Sequence, residues 1–166
     1  IGQIMARFTN QAQLRYGNSI ANSNIAVGEI LEVLSATKTA ITNSYSQNDN
    51  MTYIISIVNS GTVPFSGISV TDNLGAYLSG TESLTPLTYK QGSIKYYING
   101  VLQPSPVVQA GPPMVVSGIS IPAGGNVSVV YETTVNEYAS PAAGASITNT
   151  AIIAGTGVTP VTVEET

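Results

Sequence analysis

Gly67-Ile68-Ser69-Val70-Thr71-Asp72-Asn73-Leu74-Gly75 carries the pattern on which the rest of the chain is built. Apolar and polar residues alternate up to Asp72, the two-residue period of a strand with one buried face. Asp72-Asn73-Leu74-Gly75 then reads as a turn, because Asp and Asn bond their own backbone and Gly accepts positive φ. Blocks of the same kind recur at Phe8 to Tyr16, Ile25 to Lys38, Met51 to Asn59, Ser93 to Ile98, Met114 to Ile119, Asn126 to Val135 and Ile147 to Ala154. Turn signals separate them at Asn59-Ser60-Gly61-Thr62, Asn99-Gly100 and Pro122-Ala123-Gly124-Gly125. Asn99-Gly100 predicts a tight hairpin, since both residues tolerate positive φ. No segment has a helical period, so the expected fold is an all-β antiparallel sandwich.

At 166 residues the chain has room for one domain and an appendage. Charged residues make up only 8%, against about 25% in typical proteins, while 43% hydrophobic content excludes a disordered polar chain. Five basic and nine acidic residues give a net charge of -4, so no basic stripe exists for nucleic acid or anionic lipid. No apolar run approaches the length of a membrane span. The absence of His and Cys removes the commonest general base, the commonest nucleophile and the usual zinc and copper ligands. With its sparse carboxylates, the chain is expected to be no enzyme and to need no cofactor or metal. Without disulfides, extracellular stability has to come from another device. Ile1 to Ile4 is too short for a signal peptide, so export implies a removed leader or a route without one.

Five short motifs follow one another in order: Lys38-Thr39-Ala40, Tyr53 to Gly61, Val70-Thr71-Asp72, Ile121-Pro122-Ala123-Gly124 and Thr148-Asn149-Thr150-Ala151. This series, over about Ser35 to Gly155, resembles the conserved repeat domain of bacterial cell-surface proteins. The resemblance implies an Ig-like sandwich with a spacer or adhesive role, in a family where such domains usually stand in tandem. The expected division is 1–33 as an N-terminal strand and linker, 34–157 as the sandwich and 158–166 as a C-terminal tail.

Phe8-Thr9-Asn10-Gln11-Ala12-Gln13-Leu14 and Ile147-Thr148-Asn149-Thr150-Ala151-Ile152-Ile153 share one apolar-Thr-Asn-x-Ala-x-apolar order. Two readings stand: a strand present twice, or a chance match in Thr- and Ala-rich sequence. On the first, Phe8, Asn10, Ala12, Leu14 and Tyr16 form one face of a strand that either folds back on its own domain or is donated to a neighbouring copy, the second being the leading expectation. Head-to-tail donation makes an open homopolymer, a pilus-like fibre on a cell or spore surface. The competing class is a monomeric adhesin that recognises carbohydrate or a host or matrix protein through the loops Gly75 to Thr88 or Gln103 to Pro113.

Alternation also turns Lys38 inward with Leu34, Ala36 and Ala40, Asp72 with Ile68 and Val70, and Asn149 with Ala151 and Ile153. A Lys, an Asp and an Asn on three core-facing strands are the set needed for a spontaneous Lys38–Asn149 isopeptide bond. Burial favours the neutral amine as nucleophile and the protonated acid as proton donor. The triad looks like that of crosslinked Gram-positive pilus and adhesin sandwiches. The plainer alternative has Lys38 snorkelling from a strand end, Asp72 opening its turn and Asn149 capping a sheet edge. Glu132 is the alternate acid, on a face shared with Ser128, Val130 and Thr134.

Asn48-Asp49-Asn50 offers oxygens to calcium but reads better as a turn. Glu164 and Glu165 read as solvated charges. Tyr96, Tyr97, Tyr131 and Tyr138 read as strand residues before sugar platforms.

Overall fold

The computed structural model describes residues 4–11, 13–16, 19–22 and 26–166, with side chains described at 11, 13 and from 33 onward. The chain divides into two compact units, Ile1–Val33 and Leu34–Thr166. In the first, β1 (Ile4–Asn10), β2 (Gln13–Tyr16), β3 (Ser19–Asn22) and β4 (Ala26–Glu32) form two antiparallel pairs, β1 with β4 and β2 with β3. The stretch expected as one strand, Phe8 to Tyr16, is therefore interrupted after Asn10, and Ile25 to Lys38 is interrupted at Val33. Of the expected donor face, Ala12 and the side chains of Phe8, Asn10, Leu14 and Tyr16 lie outside the described residues.

The second unit runs through β5 (Leu34–Ala40), β6 (Asn50–Asn59), β7 (Phe65–Asp72), β8 (Tyr77–Ser79), β9 (Glu82–Leu84), β10 (Leu87–Tyr89) and β11 (Lys95–Ile98). It continues with β12 (Val101–Leu102), β13 (Val107–Gln109), β14 (Met114–Ile121), β15 (Asn126–Val135), β16 (Asn149–Ala154) and β17 (Val161–Glu165). Two antiparallel sheets pack as a sandwich. The first has the order β12-β11-β15-β6-β5, with β10 also paired to β15, and the second has the order β13-β14-β7-β16-β17. β8 and β9 form a separate hairpin inside the expected loop Gly75 to Thr88. Residues 158–166 are not a free tail. They contain β17, which pairs with β16 and buries Val163.

Alternation decides which side chains reach the core. On β6, Met51, Tyr53, Ile55, Ile57 and Asn59 are buried, and on β15 Val127, Val129, Tyr131, Thr133 and Val135 are buried. The facing sheet supplies Ile68 and Val70, Met114, Val116, Ile119 and Ile121, and Ala151 and Ile153. Each large apolar side chain so enclosed contributes about 1.5–3 kcal/mol. β14 changes parity midway: the register against β7 shifts between Val116 and Ile119, where Gly118 has φ of 78°. A bulge at this glycine keeps Ile119 and Ile121 inward although they lie out of step with Met114 and Val116.

The expected turns form as their residues dictate. Asn99 and Gly100 both have positive φ and close the β11–β12 hairpin. Asp49 Oδ2 accepts the Ser46 N–H at 2.8 Å and the Asp49 N–H donates to the Ser46 carbonyl at 3.1 Å, so the chain turns over Ser46 to Asp49 and Asn50 already opens β6. Among the described residues no group of three His, Cys, Asp or Glu could hold a metal ion, and no helix is long and apolar enough to cross a membrane.

Candidate crosslink site

The two sheets contribute different chemistry to one buried point. The first sheet brings Lys38 from β5, Tyr53 from β6 and Tyr131 from β15. Ala40 pairs with Tyr53 and Tyr53 with Tyr131, so these side chains are neighbours across adjacent strands. The two tyrosine rings stack with centroids 5.9 Å apart, and Lys38 Nζ lies 5.1 Å from the centroid of the Tyr53 ring. The second sheet brings Asp72 from the end of β7 and Asn149 from the start of β16, held by the pairing of Asp72 with Ala151.

The turn after Asp72 fixes its carboxylate. Asp72 Oδ1 accepts the Leu74 N–H at 2.7 Å, while Asn73 Oδ1 accepts from Gly75 and Thr150 at 2.9 and 3.0 Å. Asn73 thereby ties the end of β7 to β16 beside Asn149. Gly75 has φ of 74°, and a Cβ there would stand 2.6 Å from Ile147 Cγ2. Only glycine lets this turn and the entry into β16 approach so closely.

Lys38 Nζ donates to Asp72 Oδ2 at 2.7 Å, with both side chains fully enclosed. The Tyr131 hydroxyl donates to the same oxygen. Asp72 thus has a partner on each oxygen and two on Oδ2. Asn149 is the opposite case: it is 0% exposed, and neither its Oδ1 nor its Nδ2 has a hydrogen-bond partner among the described residues. A buried amide without partners costs roughly 1–3 kcal/mol.

Burial lowers the Lys38 pKa below its ordinary 10.5, against the opposing charges of Asp72 and Glu165. Burial, aided by the Asp72 charge, pushes the Tyr53 hydroxyl up to about 12 and that of Tyr131 well above 10. Asn149 lies close enough to both hydroxyls to draw their pKa values slightly the other way. Neither hydroxyl is hydrogen-bonded to the Asn149 amide.

Lys38 and Asp72 therefore meet, with Asn149 two residues along β16 from the Ala151 that pairs with Asp72, and the snorkelling alternative does not hold for Lys38, whose head group is enclosed. Glu132 is not at this point: it faces outward and pairs with Lys90 at 3.0 Å. Glu165, read from sequence as solvated, is half-buried opposite Asn149 in the β16–β17 register. With Tyr53, Met51 and Ile147 it lines a cavity of about 550 Å³ beside the site. Tyr53 and Tyr131 are the site residues that sequence reasoning missed. Their parity with Met51, Ile55 and Ile57, and with Val127 and Val129, was the available signal. Tyr131 is 0% exposed and is no sugar platform.

The sandwich resembles solved pilus proteins. It matches the pilus backbone RrgB of Streptococcus pneumoniae with a TM-score of 0.51 and 10% identity, over 72% of this chain and 50% of that one. BcpA, the major pilin subunit of Bacillus cereus, gives a TM-score of 0.51 and 16% identity over 96% of this chain and 48% of that one. A collagen-binding domain from a Staphylococcus aureus adhesin overlaps with a TM-score of 0.46 and 12% identity, over 78% and 97% of the two chains. The match spans about half the length of each pilin. No family model matches the sequence, and no curated protein is similar to it in sequence. At these identities the likeness is one of fold, an Ig-like sandwich of the kind found in Gram-positive pilins.

Proposed function

We propose that this chain is a structural subunit of a bacterial surface fibre whose sandwich is locked by an isopeptide bond between Lys38 and Asn149. The observation that carries the reading is the buried Lys38–Asp72 pair beside a buried asparagine that has no partner. A carboxamide that only capped a sheet edge would be hydrogen-bonded. A proton passing from the Lys38 ammonium to Asp72 leaves a neutral amine, whose lone pair attacks Asn149 Cγ. The Cγ–Nζ bond forms, the Cγ–Nδ2 bond breaks and ammonia leaves with a proton supplied through Asp72. Nζ sheds a second proton to Asp72 as the amide forms, so charge is conserved. Low dielectric favours this neutral route over the separated ions. Intact-mass measurement tests it: the protein is expected to weigh less than its sequence by one ammonia, and the full sequence mass refutes the bond.

Polymerisation by strand donation is the finer part of the proposal. β1 pairs with β4 over seven register positions, from Ile4 with Glu32 to Asn10 with Ala26. The same hydrogen bonds form between chains if β1 of one copy pairs with β4 of the next, the exchange that makes domain-swapped assemblies. Its support is the repeated apolar-Thr-Asn-x-Ala-x-apolar order and the fold shared with pilins. Deleting residues 1–17 separates the outcomes. The reading expects a folded protein that no longer forms fibres in negative-stain micrographs, and fibres from the shortened chain exclude it.

A further inference from the structure

The isopeptide reading leaves the proton's route open. Asp72 has to deliver a proton to the departing nitrogen of Asn149, yet its oxygens are already engaged. Oδ1 is held by the Leu74 N–H, and Oδ2 accepts from both Lys38 and Tyr131. The side-chain amide of Asn149 makes no hydrogen bond to Asp72 or to any other described group. Besides Lys38, the side chain bonded to the acid is Tyr131 through its hydroxyl, and Asp72 is itself paired with Ala151, two residues along β16 from Asn149. Tyr131 is fully buried, fixed by the ring stack on Tyr53, and bonded to the Asp72 oxygen that receives the Lys38 proton. Asn149 also draws its pKa slightly down, in keeping with the β7–β16 register that sets the two strands side by side.

We infer that Tyr131 is the proton relay of the crosslinking reaction, passing a proton from Asp72 Oδ2 to Nδ2 of Asn149. The inference rests on the isopeptide reading and adds a residue to it. As the amine adds to Cγ, the Tyr131 oxygen gives its proton to Nδ2 and takes one from protonated Asp72. The Cγ–Nδ2 bond then breaks. The ammonia released carries the two original amide hydrogens and one from the hydroxyl. Tyr131 ends as it began, while Asp72 collects the proton that Nζ sheds and ends as the neutral acid. A hydroxyl suits this work because it donates and accepts at one atom and carries no charge into the core. Tyr53 makes no hydrogen bond to Asp72 among the described residues and serves as the floor on which Lys38 rests.

The test uses full-length chain recovered unfolded from inclusion bodies, refolded by dilution and followed by intact mass. Tyr131→Phe removes one oxygen and is expected to slow ammonia loss by about 100-fold or more, the usual scale of general acid–base catalysis. Tyr53→Phe is expected to react within a few-fold of the parent. Equal rates for Tyr131→Phe and the parent overturn the relay and leave the isopeptide reading intact, whereas a parent that never loses ammonia overturns both. Comparing the melting temperatures of Asn149→Ala and Tyr131→Phe/Asn149→Ala shows whether the hydroxyl matters only to folding. A slow Tyr131→Phe whose double variant melts far below Asn149→Ala counts against the relay. If Tyr131→Phe does not fold, the parent's rate in mixtures of light and heavy water decides. A relay moves two protons together and gives a bowed dependence, and a straight line overturns it.

Discussion

Asn59, at the end of β6, and Asn149, at the start of β16, are both 0% exposed, and the fold surrounds them differently. Asn59 Nδ2 donates to the carbonyls of Val63 and Pro122 at 2.9 and 3.2 Å, and its Oδ1 accepts the Gly61 N–H at 3.0 Å. Both N–H directions and the carbonyl of that amide are used to close a turn. The Asn149 side chain has no such partner among the described residues. Burial alone therefore does not separate a structural asparagine from a reactive one. Partners do: an amide held by three backbone groups is locked in place, while one left without partners beside an amine is available to react.

The comparison can be broken by substitution. Asp72→Ala has the largest expected effect. It abolishes the bond and leaves Lys38 enclosed without its counter-charge, and loss of the partner alone costs about 3–5 kcal/mol. Denaturant unfolding should show a loss greater than for any other single change at the site, and a mass equal to the full sequence of the variant. Asn149→Ala comes next. It removes the crosslink, worth about 4.7 kcal/mol for a loop of ~100 residues in the chain-entropy model, but no hydrogen bond is lost with it. The bond's contribution should then account for nearly the whole change in the unfolding midpoint.

Asn59→Ala sharpens the contrast from the other side. It strands the backbone groups of Gly61, Val63 and Pro122, at about 1–3 kcal/mol, while ammonia loss should proceed normally. If Asn59→Ala stopped the crosslink, the two asparagines would not be separable in this way. The smallest expected change is in rate alone. The reactive state of the Lys38–Asp72 pair holds one shared proton, so the rate should be flat near neutral pH. Above the lowered Lys38 pKa that proton goes to solvent, and none remains for the leaving ammonia. Refolding at a series of pH values should show the rate falling through a midpoint below 10.5. A midpoint at or above 10.5 would mean that Lys38 is not desolvated when it reacts. Asp72, Glu165, Tyr53 and Tyr131 face this lysine, and both tyrosines titrate above that window.

Much of this was legible because a strand's two-residue period converts sequence into direction. The inward positions of Lys38, Asp72 and Asn149 follow from counting alone, as does the outward position of Glu132. Counting fails where the backbone leaves the period. At Gly118 the bulge moves the inward set from Met114 and Val116 to Ile119 and Ile121, and nothing in residue identity marks the shift except the glycine. β17 was missed because its alternation, Val161 to Glu165, is short and acidic. Its burial comes from pairing with β16, a long-range contact that no local pattern announces. Tyr131 read only as strand material in the sequence. The role proposed for it rests on its bond to Asp72, a long-range contact that residue identity does not announce.

β5 opens the second unit and β16 is its next-to-last strand, so Lys38 and Asn149 sit near the two ends of the folded sequence, while Lys38 bonds Asp72, whose strand partner is Ala151, two residues from Asn149. With the proposed bond in place, a pull on the termini of this unit would travel along a short path, through a few residues of β5, across the new amide and out through β16 and β17. Everything from β6 to β15 hangs to one side of that line and bears no tension. Such a module can carry load without unravelling, and only the segment beyond Asn149 and the stub before Lys38 can stretch.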